Sequence, residues 1–316
     1  MSTQVETRLI DGKAIAARLK EEVGQEVSEL IAKGIQPGLA VILVGDNSAS
    51  QVYVRNKTRS RTNLGIHSEQ VNLPSETQTP ELLKQIGKLN RADHIDGILV
   101  QLPLPSHIDT GKILRSIIPA KDVDGFHPTN VGRLCIGKPV LVPCTPMGIL
   151  EILRRENVPM SGQQAVIIGR SNIVGKPMAL LLLQEHCTVT VCHSRSQDLA
   201  GICRKADILI SAVGKTGLVT GDFVKPGATV IDVGMNSIQT LEELELLYGQ
   251  DTKRRESFDK QGYCLTGDVN PSQVIGMAGA LTPVPGGVGP MTIAHLMKNT
   301  VLACRRRRID SKRSRA

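Results

Sequence analysis

The sequence predicts an α/β protein whose sheets are parallel. Short apolar runs that are typical of buried strands alternate with longer segments whose apolar residues recur at helical spacing. Hydrophobic residues make up 41% of the 316 residues, yet the chain has only three Tyr, three Phe and no Trp. The core must therefore consist of Ile, Leu, Val and Ala. The length is sufficient for one large or two medium domains.

The first half contains two strand-like runs and three helix-like segments. Residues 39–45 (LAVILVG) and 96–105 (DGILVQLPLP) are apolar runs that end at glycine or proline. Helical spacing predicts one helix over 10–35 and another over 81–90. The N-cap residues of DNSAS predict a further helix over 49–64. This order of strands and helices indicates a parallel sheet.

The second half repeats the pattern with four apolar strands between residues 163 and 234, namely QAVIIG, TVTVCHS, DILISAVG and ATVIDVG. Helices over 175–186 and 198–205 separate the first three, and a shorter link precedes the fourth. Such a run is typical of a doubly wound, Rossmann-like sheet. We expect the helix over 146–157 to be the hinge between domains. The last helix, IAHLMKNTVLACRR, is expected to return to the first domain.

The net charge of +8 comes mainly from the tail RRRRIDSKRSRA, which has seven basic residues and one acidic residue. The rest of the chain is nearly neutral and is not a polycation. A run of like charges at a terminus is usually solvated, so we expect the tail to be disordered. Nucleic-acid binding by the tail is the alternative, although no aromatic residues are interleaved with the charges.

The seven cysteines show no C-x-x-C or C-x-x-H spacing. This pattern argues against a zinc site and a disulfide framework, and it predicts buried free thiols and no metal. No apolar run is long enough to span a bilayer, and the start MSTQVETRLIDGK lacks the apolar core of a signal peptide. We therefore expect a cytoplasmic protein without membrane contacts.

The strand-to-helix turn VIIGRSNIVGKP (166–177) looks like a dinucleotide fingerprint that lacks its middle glycine. Gly169 and Gly175 are present, but Ser171 and Val174 stand where glycine is usual. Backbone N–H groups at a helix N-terminus bind phosphate, and Ser171 would add a hydroxyl donor. The turn alone is equally compatible with an ordinary joint of an α/β domain.

The end of the following strand distinguishes between two cofactors. An NAD site usually presents Asp or Glu there to the ribose 2′-hydroxyl. This sequence instead has His193, Ser194, Arg195 and Ser196. Arginine and hydroxyl groups suit a 2′-phosphate, and Arg170 lies on the neighbouring turn. The pattern favours NADP over NAD, and a solvated loop arginine is the alternative interpretation.

The segment YVRNK places Tyr53 and Lys57 on one face of a predicted helix, because they are four residues apart. A lysine beside a tyrosine near a cleft could transfer protons. From the spacing alone, a surface lysine whose stem covers a half-buried tyrosine is the simpler interpretation.

Nine stretches together resemble the bifunctional methylenetetrahydrofolate dehydrogenase/methenyltetrahydrofolate cyclohydrolases. They are YVRNK, GILVQLPLP, PAKDVDGF, PCTPMGILEIL, GRSNIVGKPMALLL, VCHSRS, ISAVGKTGLV, VIDVGMN and PVPGGVGPMT. The resemblance implies two α/β domains with a cleft between them. The folate domain would comprise 1–146 plus 290–304, and the Rossmann-like NADP domain 147–289. The tail, 305–316, lies outside the resemblance.

The resemblance also implies two reactions. NADP oxidises 5,10-methylenetetrahydrofolate to the 5,10-methenyl cation, which is then hydrolysed to 10-formyltetrahydrofolate. Lys57 would move the protons, Tyr53 would lie against the folate rings, and Gln101 would hold the Lys57 amine. Asp124 would bind the 2-amino-pyrimidine edge, and we prefer it to Asp122.

Further roles follow from the same resemblance. Substrate would be bound by Pro285, Gly286, Gly289 and Lys13. NADP would be bound by Thr145, Gly169, Arg170, Ser171, Ser194 and Arg195. The resemblance implies a homodimer that acts on tetrahydrofolate derivatives. A dehydrogenase that is monofunctional or prefers NAD is the alternative, and a nucleic-acid-associated protein that uses its basic tail is a remote one.

The clearest departure from the family is the long segment 237–266. Leu241 to Tyr248 predicts an extra acidic helical turn or two, and KRRESFDKQG predicts an exposed loop. A plain surface insertion is the simplest interpretation. An effect on access to the nicotinamide or on dimer contacts is the alternative.

Overall fold

A computed structural model describes residues 5–45 and 64–310 of the chain. The chain divides into two compact units. One comprises residues 1–15 and 145–292, and we call it the six-stranded unit after its main sheet. The other comprises residues 16–144 and 293–316, and we call it the three-stranded unit.

Eleven strands and eleven α-helices are assigned within the described residues. The strands are β1 (Arg8–Leu9), β2 (Gly38–Val44), β3 (His67–Leu73), β4 (Gly97–Val100), β5 (Gln164–Ile168), β6 (Thr188–Cys192), β7 (Ile208–Ser211), β8 (Thr229–Asp232), β9 (Asn236–Ile238), β10 (Cys264–Thr266) and β11 (Ala280–Leu281). The helices are α1 (Gly12–Ala32), α2 (Thr79–Arg91), α3 (Thr110–Ser116), α4 (Pro128–Cys135), α5 (Cys144–Arg155), α6 (Gly175–Gln184), α7 (Leu199–Cys203), α8 (Leu241–Tyr248), α9 (Thr252–Gln261), α10 (Pro271–Val274) and α11 (Val288–Arg305).

The three-stranded unit has a parallel sheet in the order β3-β2-β4. Every residue of the central strand β2 is buried, as its continuous apolar sequence predicts. Helix α2 buries Leu82, Ile86 and Leu89, which are spaced to form one apolar face. The predicted helix over 49–64 lies outside the described residues apart from its last position.

Strand β3 was not predicted from the sequence. Its residues HSEQVNL are all exposed or half-buried, and among the described strands it pairs with β2 alone. An edge strand of this kind lacks the apolar run by which a buried parallel strand is recognised.

The six-stranded unit has an all-parallel sheet in the order β1-β11-β8-β7-β5-β6. The four predicted strands are β5 to β8, and their prediction is confirmed. Strands β1 and β11 were missed because each contains only two residues, too few to show a periodicity. Pairing of Arg8 with Ala280 joins β1 to this sheet, and residues 5–15 group with this unit.

The insertion at 237–266 is more regular than expected. Helix α8 confirms the predicted helical turns, and β9 and β10 form an antiparallel pair. The exposed loop predicted for KRRESFDKQG is wrong, because these residues belong to helix α9. Asp251 caps its first turn by accepting a hydrogen bond from the Arg254 N–H at 3.1 Å. Gly262 ends the helix in the left-handed conformation.

The beginning of the basic tail is also ordered, contrary to expectation. Residues Arg306–Asp310 form a helical turn that continues α11. The side chains of Arg307 and Arg308 bind the carboxylate of Asp96, which is fully buried. A buried carboxylate requires such partners, so it fixes this part of the tail.

Six of the seven cysteines are buried free thiols, as predicted, and Cys135 is exposed. Burial raises the pKa of Cys203 and of Cys304 to about 12. Among the described residues, no helix is both long and apolar enough to cross a bilayer.

Candidate functional site

The turn after β5 depends on glycine at two positions. Gly169 has φ +123°, and a Cβ there would lie 2.4 Å from the carbonyl oxygen of Ala212. A Cβ on Gly175 would lie 2.1 Å from the Gly169 carbonyl oxygen. The chain can therefore turn tightly from β5 into α6 only with glycine at both places.

Ser171 has a structural role within this turn. Its Oγ accepts hydrogen bonds from the N–H groups of Val174, at 3.0 Å, and Gly175, at 3.4 Å. The hydroxyl therefore replaces a missing helix cap, and its own hydrogen is left to donate to a ligand. Ser171 and Arg170 are both exposed at the helix N-terminus, where an anion is favoured.

The end of β6 lies directly beside this turn, since Ile168 pairs with Cys192. Residues 193–196 form a closed turn in which Ser196 Oγ accepts from the His193 N–H at 3.0 Å. His193 Nδ1 accepts from the Arg195 N–H at 3.1 Å. Ser194 and Arg195 are exposed, and the turn contains no carboxylate. The edge formed by the two turns therefore offers donors and positive charge.

Two buried aspartates that the sequence analysis missed organise the loops after β7 and β8. Asp268 is fully buried and accepts hydrogen bonds from the N–H groups of Val213, at 2.8 Å, and Lys215, at 2.9 Å. Asp232 accepts from the Gly234 N–H in the loop after β8, at 3.0 Å, and from the N–H groups of Asp268 and Val269 after β10, each at 2.9 Å. A carboxylate that binds several backbone N–H groups can fix a loop, but a single sequence gives no periodic signal for one.

The two carboxyl groups are close enough to affect each other. Burial raises the pKa of Asp232 to about 7, and the nearby Asp268 also raises it, against the lowering effect of its backbone hydrogen bonds. Ser211 Oγ adds a hydrogen bond to Asp268 at 3.1 Å. These loops follow the carboxyl ends of the central strands, where ligands bind in open α/β sheets.

Thr145 lies close to Thr292. Its Oγ1 lies 3.0 Å from Oγ1 of Thr292, and both residues are half-buried. Thr145 is the second residue of α5, and Thr292 lies in the second turn of α11.

The structure brings Lys13 together with one of the predicted substrate residues. Gly286 has φ +114°, and its Cβ position would lie 3.2 Å from Cε of Lys13. Pro285 precedes it and follows a cis peptide bond. Gly289 lies near the side chain of Met235, which is 58% exposed. Lys13 is exposed and lies in the first turn of α1.

The predicted catalytic residues are only partly described. Tyr53 and Lys57 lie outside the described residues. Gln101 follows β4, is half-buried, and donates from Nε2 to the Leu102 carbonyl at 2.7 Å. Asp124 is half-buried in the segment between α3 and α4.

Asp122 differs from Asp124 in its surroundings. It is 1% exposed, and its carboxylate accepts hydrogen bonds from the His127 N–H and from Asn130 Nδ2, each at 2.8 Å. Burial raises the pKa of Asp122. The Asp122 carboxylate is therefore held by groups of the segment that follows it.

Lys121, in the same motif, is structural. Its Nζ is fully buried and donates to the carbonyl groups of Leu89, Asn90 and Ala92 at 2.9, 2.9 and 2.7 Å. These carbonyls end helix α2, so the lysine caps the helix C-terminus. Burial lowers the pKa of Lys121 to about 8.

The six-stranded parallel sheet and its acid-free, donor-rich edge define a dinucleotide-binding α/β protein. Residues 143–308 match the family model for the tetrahydrofolate dehydrogenase/cyclohydrolase NAD(P)-binding domain. Residues 10–124 match the model for the catalytic domain of the same family. The chain belongs to the tetrahydrofolate dehydrogenase/cyclohydrolase family.

Individual relatives agree with this assignment. Bifunctional protein FolD of Koribacter versatilis is 56% identical over 300 residues, which cover 95% of this chain and 97% of the relative. The FolD structure from Campylobacter jejuni is 44% identical, with a TM-score of 0.86 and coverage of 95% and 99%. The Trypanosoma brucei enzyme, solved with NADP cofactor and inhibitor, is 39% identical, with a TM-score of 0.86 and coverage of 96% and 98%.

Proposed function

We propose that the chain catalyses two consecutive reactions of one-carbon metabolism. It oxidises 5,10-methylenetetrahydrofolate to 5,10-methenyltetrahydrofolate with NADP, and it hydrolyses the product to 10-formyltetrahydrofolate. The observation that carries this proposal is the match of both halves of the chain to the two domains of one bifunctional family.

The residues at the ends of β5 and β6 fit NADP. Exposed Arg170 and Ser171 lie at a helix N-terminus, and Ser194 and Arg195 lie beside them on the next strand end. We assign the 2′-phosphate to Ser194 and Arg195, because hydroxyl and guanidinium groups bind phosphate and no carboxylate repels it. We also assign Thr145 and Gly169 to the nucleotide. Bound NADP supplies the hydride acceptor.

We assign the proton transfers of the hydrolysis to Lys57. The methenyl cation is activated toward water, so attack and ring opening require a group that takes and returns protons. Tyr53 would orient the folate rings and Gln101 would position the lysine amine. Asp124 would hold the pyrimidine edge, since its carboxylate can accept two N–H groups. The engagement of Asp122 within its loop supports this choice.

The loop around Pro285, Gly286 and Gly289 is proposed to bind substrate through its backbone. The contact between Lys13 and the Cβ position of Gly286 supports a shared site for the loop and the lysine. An exposed ammonium at this position suits the carboxylates of the folate glutamate.

The two activities are best tested together. Lys57→Met should abolish the hydrolysis of methenyltetrahydrofolate while the protein remains folded by circular dichroism. The matched control is Lys33→Met, which removes an exposed lysine beyond the end of α1. Full cyclohydrolase activity in Lys57→Met would remove Lys57 from this role. Absence of both half-reactions in the wild type would overturn the proposed function.

We further propose a cytoplasmic homodimer without affinity for nucleic acid. The dimer is inferred from the family resemblance, and analytical ultracentrifugation tests it. Engagement of Arg307 and Arg308 by Asp96 supports the absence of nucleic-acid binding, because two arginines of the tail bind within the protein. Salt-dependent DNA binding at low salt would contradict this part of the proposal.

A further inference from the structure

Three side chains with metal-binding atoms meet on the surface of the three-stranded unit. They are His67 and Glu69 of β3 and His94, which lies between α2 and β4. One ligand atom from each lies within 4.8 Å of the others. Nε2 of His94 is 3.5 Å from Oε2 of Glu69, and the two imidazole centroids are 5.5 Å apart.

The local fold explains why these residues meet. His67 and Glu69 are two apart on one strand and therefore point to the same side of the sheet. His67 pairs with Gly38 of the neighbouring strand. A Cβ on Gly38 would lie 1.9 Å from the carbonyl oxygen of His94. Because Gly38 has no side chain, the loop that carries His94 can lie across the start of β2. This position brings His94 beside His67 and Glu69.

The donor set suits a transition metal rather than Mg²⁺ or Ca²⁺. Two imidazoles and one carboxylate are the protein ligands of many Zn²⁺ sites, in which water completes the tetrahedron. Metal–ligand distances of about 2.0–2.1 Å give tetrahedral ligand separations of about 3.4 Å. The 3.5 Å between His94 and Glu69 matches this separation. His67 and His94 are exposed, so an ion has access.

We propose that His67, Glu69 and His94 bind one divalent transition metal ion, with Zn²⁺ as the representative. The bound ion joins edge strand β3 to the loop that precedes β4. It therefore stabilises the edge of the sheet, independently of either enzymatic reaction.

Calorimetric titration of the chelator-treated full chain with Zn²⁺ tests the proposal. The wild type should bind one more Zn²⁺ than the His67→Ala/His94→Ala variant, and excess Zn²⁺ should raise its melting temperature. His186→Asn is the matched control, since it removes an exposed imidazole from the other unit at a left-handed position that Asn tolerates. Equal stoichiometry in the wild type and the double variant would overturn the proposal and leave a plain His–Glu ion pair.

Arg254 connects the insertion at 237–266 to Val284. The guanidinium of Arg254 donates from Nη1 to the Leu265 carbonyl at 2.9 Å and from Nη2 to the Val284 carbonyl at 2.7 Å. It also lies 3.7 Å from the ring centroid of Tyr248. Tyr248 in turn shares a 2.7 Å hydrogen bond with Thr266. The arginine is held by the stacking and by two directed hydrogen bonds.

Val284 connects this arrangement to the substrate loop, because Pro285 and Gly286 follow it directly. We infer that Arg254 is a positioning residue that fixes the Pro285–Gly289 loop for folate binding. The inference rests on the proposed function, since it requires this loop to bind the substrate. The insertion then acts as a support for the site rather than as a plain surface segment.

Steady-state kinetics distinguish this role from general stabilisation. Arg254→Ala should raise KM for methylenetetrahydrofolate about tenfold, the effect of losing one charged hydrogen bond, with KM for NADP unchanged. Arg254→Lys should restore part of the loss. Arg255→Ala is the matched control, because Arg255 pairs with Glu245 and Asp259 at the surface.

The activity of the wild type and the folate KM of Arg254→Ala test the proposed function and the positioning role separately. An inactive wild type would refute the proposed function itself. An active wild type with the same folate KM in Arg254→Ala would overturn the positioning role alone, whether or not the melting temperature of the variant falls.

Discussion

Arg308 holds the buried carboxylate of Asp96 through a hydrogen bond from Nε to Oδ1 at 2.9 Å and an ion pair between Nη2 and Oδ2 at 2.8 Å. Asp96 also accepts from the backbone N–H of Gly38 at 3.0 Å. A hydrogen bond between two charged groups is stronger than one between neutral groups. The start of the basic tail is therefore part of the three-stranded unit.

Shortening the tail should have two different effects. A chain that ends after Cys304 loses the two guanidinium groups that pair with Asp96. We expect its free energy of unfolding to fall by about 3–5 kcal/mol, the cost of breaking a buried pair. A chain that ends after Asp310 keeps the pair and should match the wild type. Equal urea midpoints for both chains would contradict this interpretation.

Arg195→Ala should weaken the use of NADP selectively. Loss of a charge-assisted contact to the 2′-phosphate should reduce kcat/KM with NADP about 10- to 100-fold, whereas kcat/KM with NAD should change little. The control is Arg204→Ala, which removes an exposed arginine that donates to the Asp222 carbonyl at 2.9 Å. A parallel loss with both cofactors would argue against the assignment of the phosphate to Arg195.

Gly175→Ala should disrupt the turn at the start of α6. The added Cβ meets the Gly169 carbonyl, which is backbone and cannot move aside cheaply. We expect lower thermal stability and a raised KM for NADP. Gly132→Ala is the control, because nothing lies within 4 Å of its Cβ position in helix α4. That change should leave stability equal or slightly higher, since alanine favours helix.

Asp232 should make stability depend on pH. Its folded pKa, about 7, exceeds the value of about 3.9 that is usual for an unfolded chain. Between these values the folded state keeps a proton that the unfolded state loses. Stability should therefore fall as pH rises from about 4 to 7, by at most about 1.4 kcal/mol per unit from this group.

The Asp232→Asn variant isolates this contribution. It should lose less stability than the wild type between about pH 4 and about pH 7, as measured by urea unfolding. Asp268 faces the same group and stays in place in both proteins. Identical pH profiles would mean that Asp232 keeps an ordinary pKa despite its burial.

The sequence predicted most of the central strands because apolar runs such as QAVIIG and LAVILVG are intrinsic to them. It failed where tertiary contacts decide the structure. Helix α9 has no buried residue and a strongly polar sequence, and only its caps at Asp251 and Gly262 mark it. Strand β11 exists because Ala280 pairs with Thr229 on one side and with Arg8 on the other.

Candidate site residues could likewise be predicted where a local sequence pattern marks them, but not where tertiary contacts bring them together. The sequence CHSRS shows directly that no carboxylate follows β6, and the turn at 193–196 exposes Ser194 and Arg195 instead. The roles of Asp232 and Asp268 depend on loops that are brought together by the sheet. The meeting of His94 with His67 depends on a close approach at Gly38. Contacts between residues so far apart in sequence have no local signature.

Strand β1 is synthesised long before β11, the strand with which it pairs. The Thr7 hydroxyl donates to the Ala278 carbonyl across a separation of 271 residues. At about 5–20 residues per second, β1 leaves the ribosome tens of seconds before its neighbour exists. A two-residue strand offers few unpaired backbone groups during that interval. Because β1 is so short, the nascent chain offers few backbone groups that could pair with another strand before β11 is made.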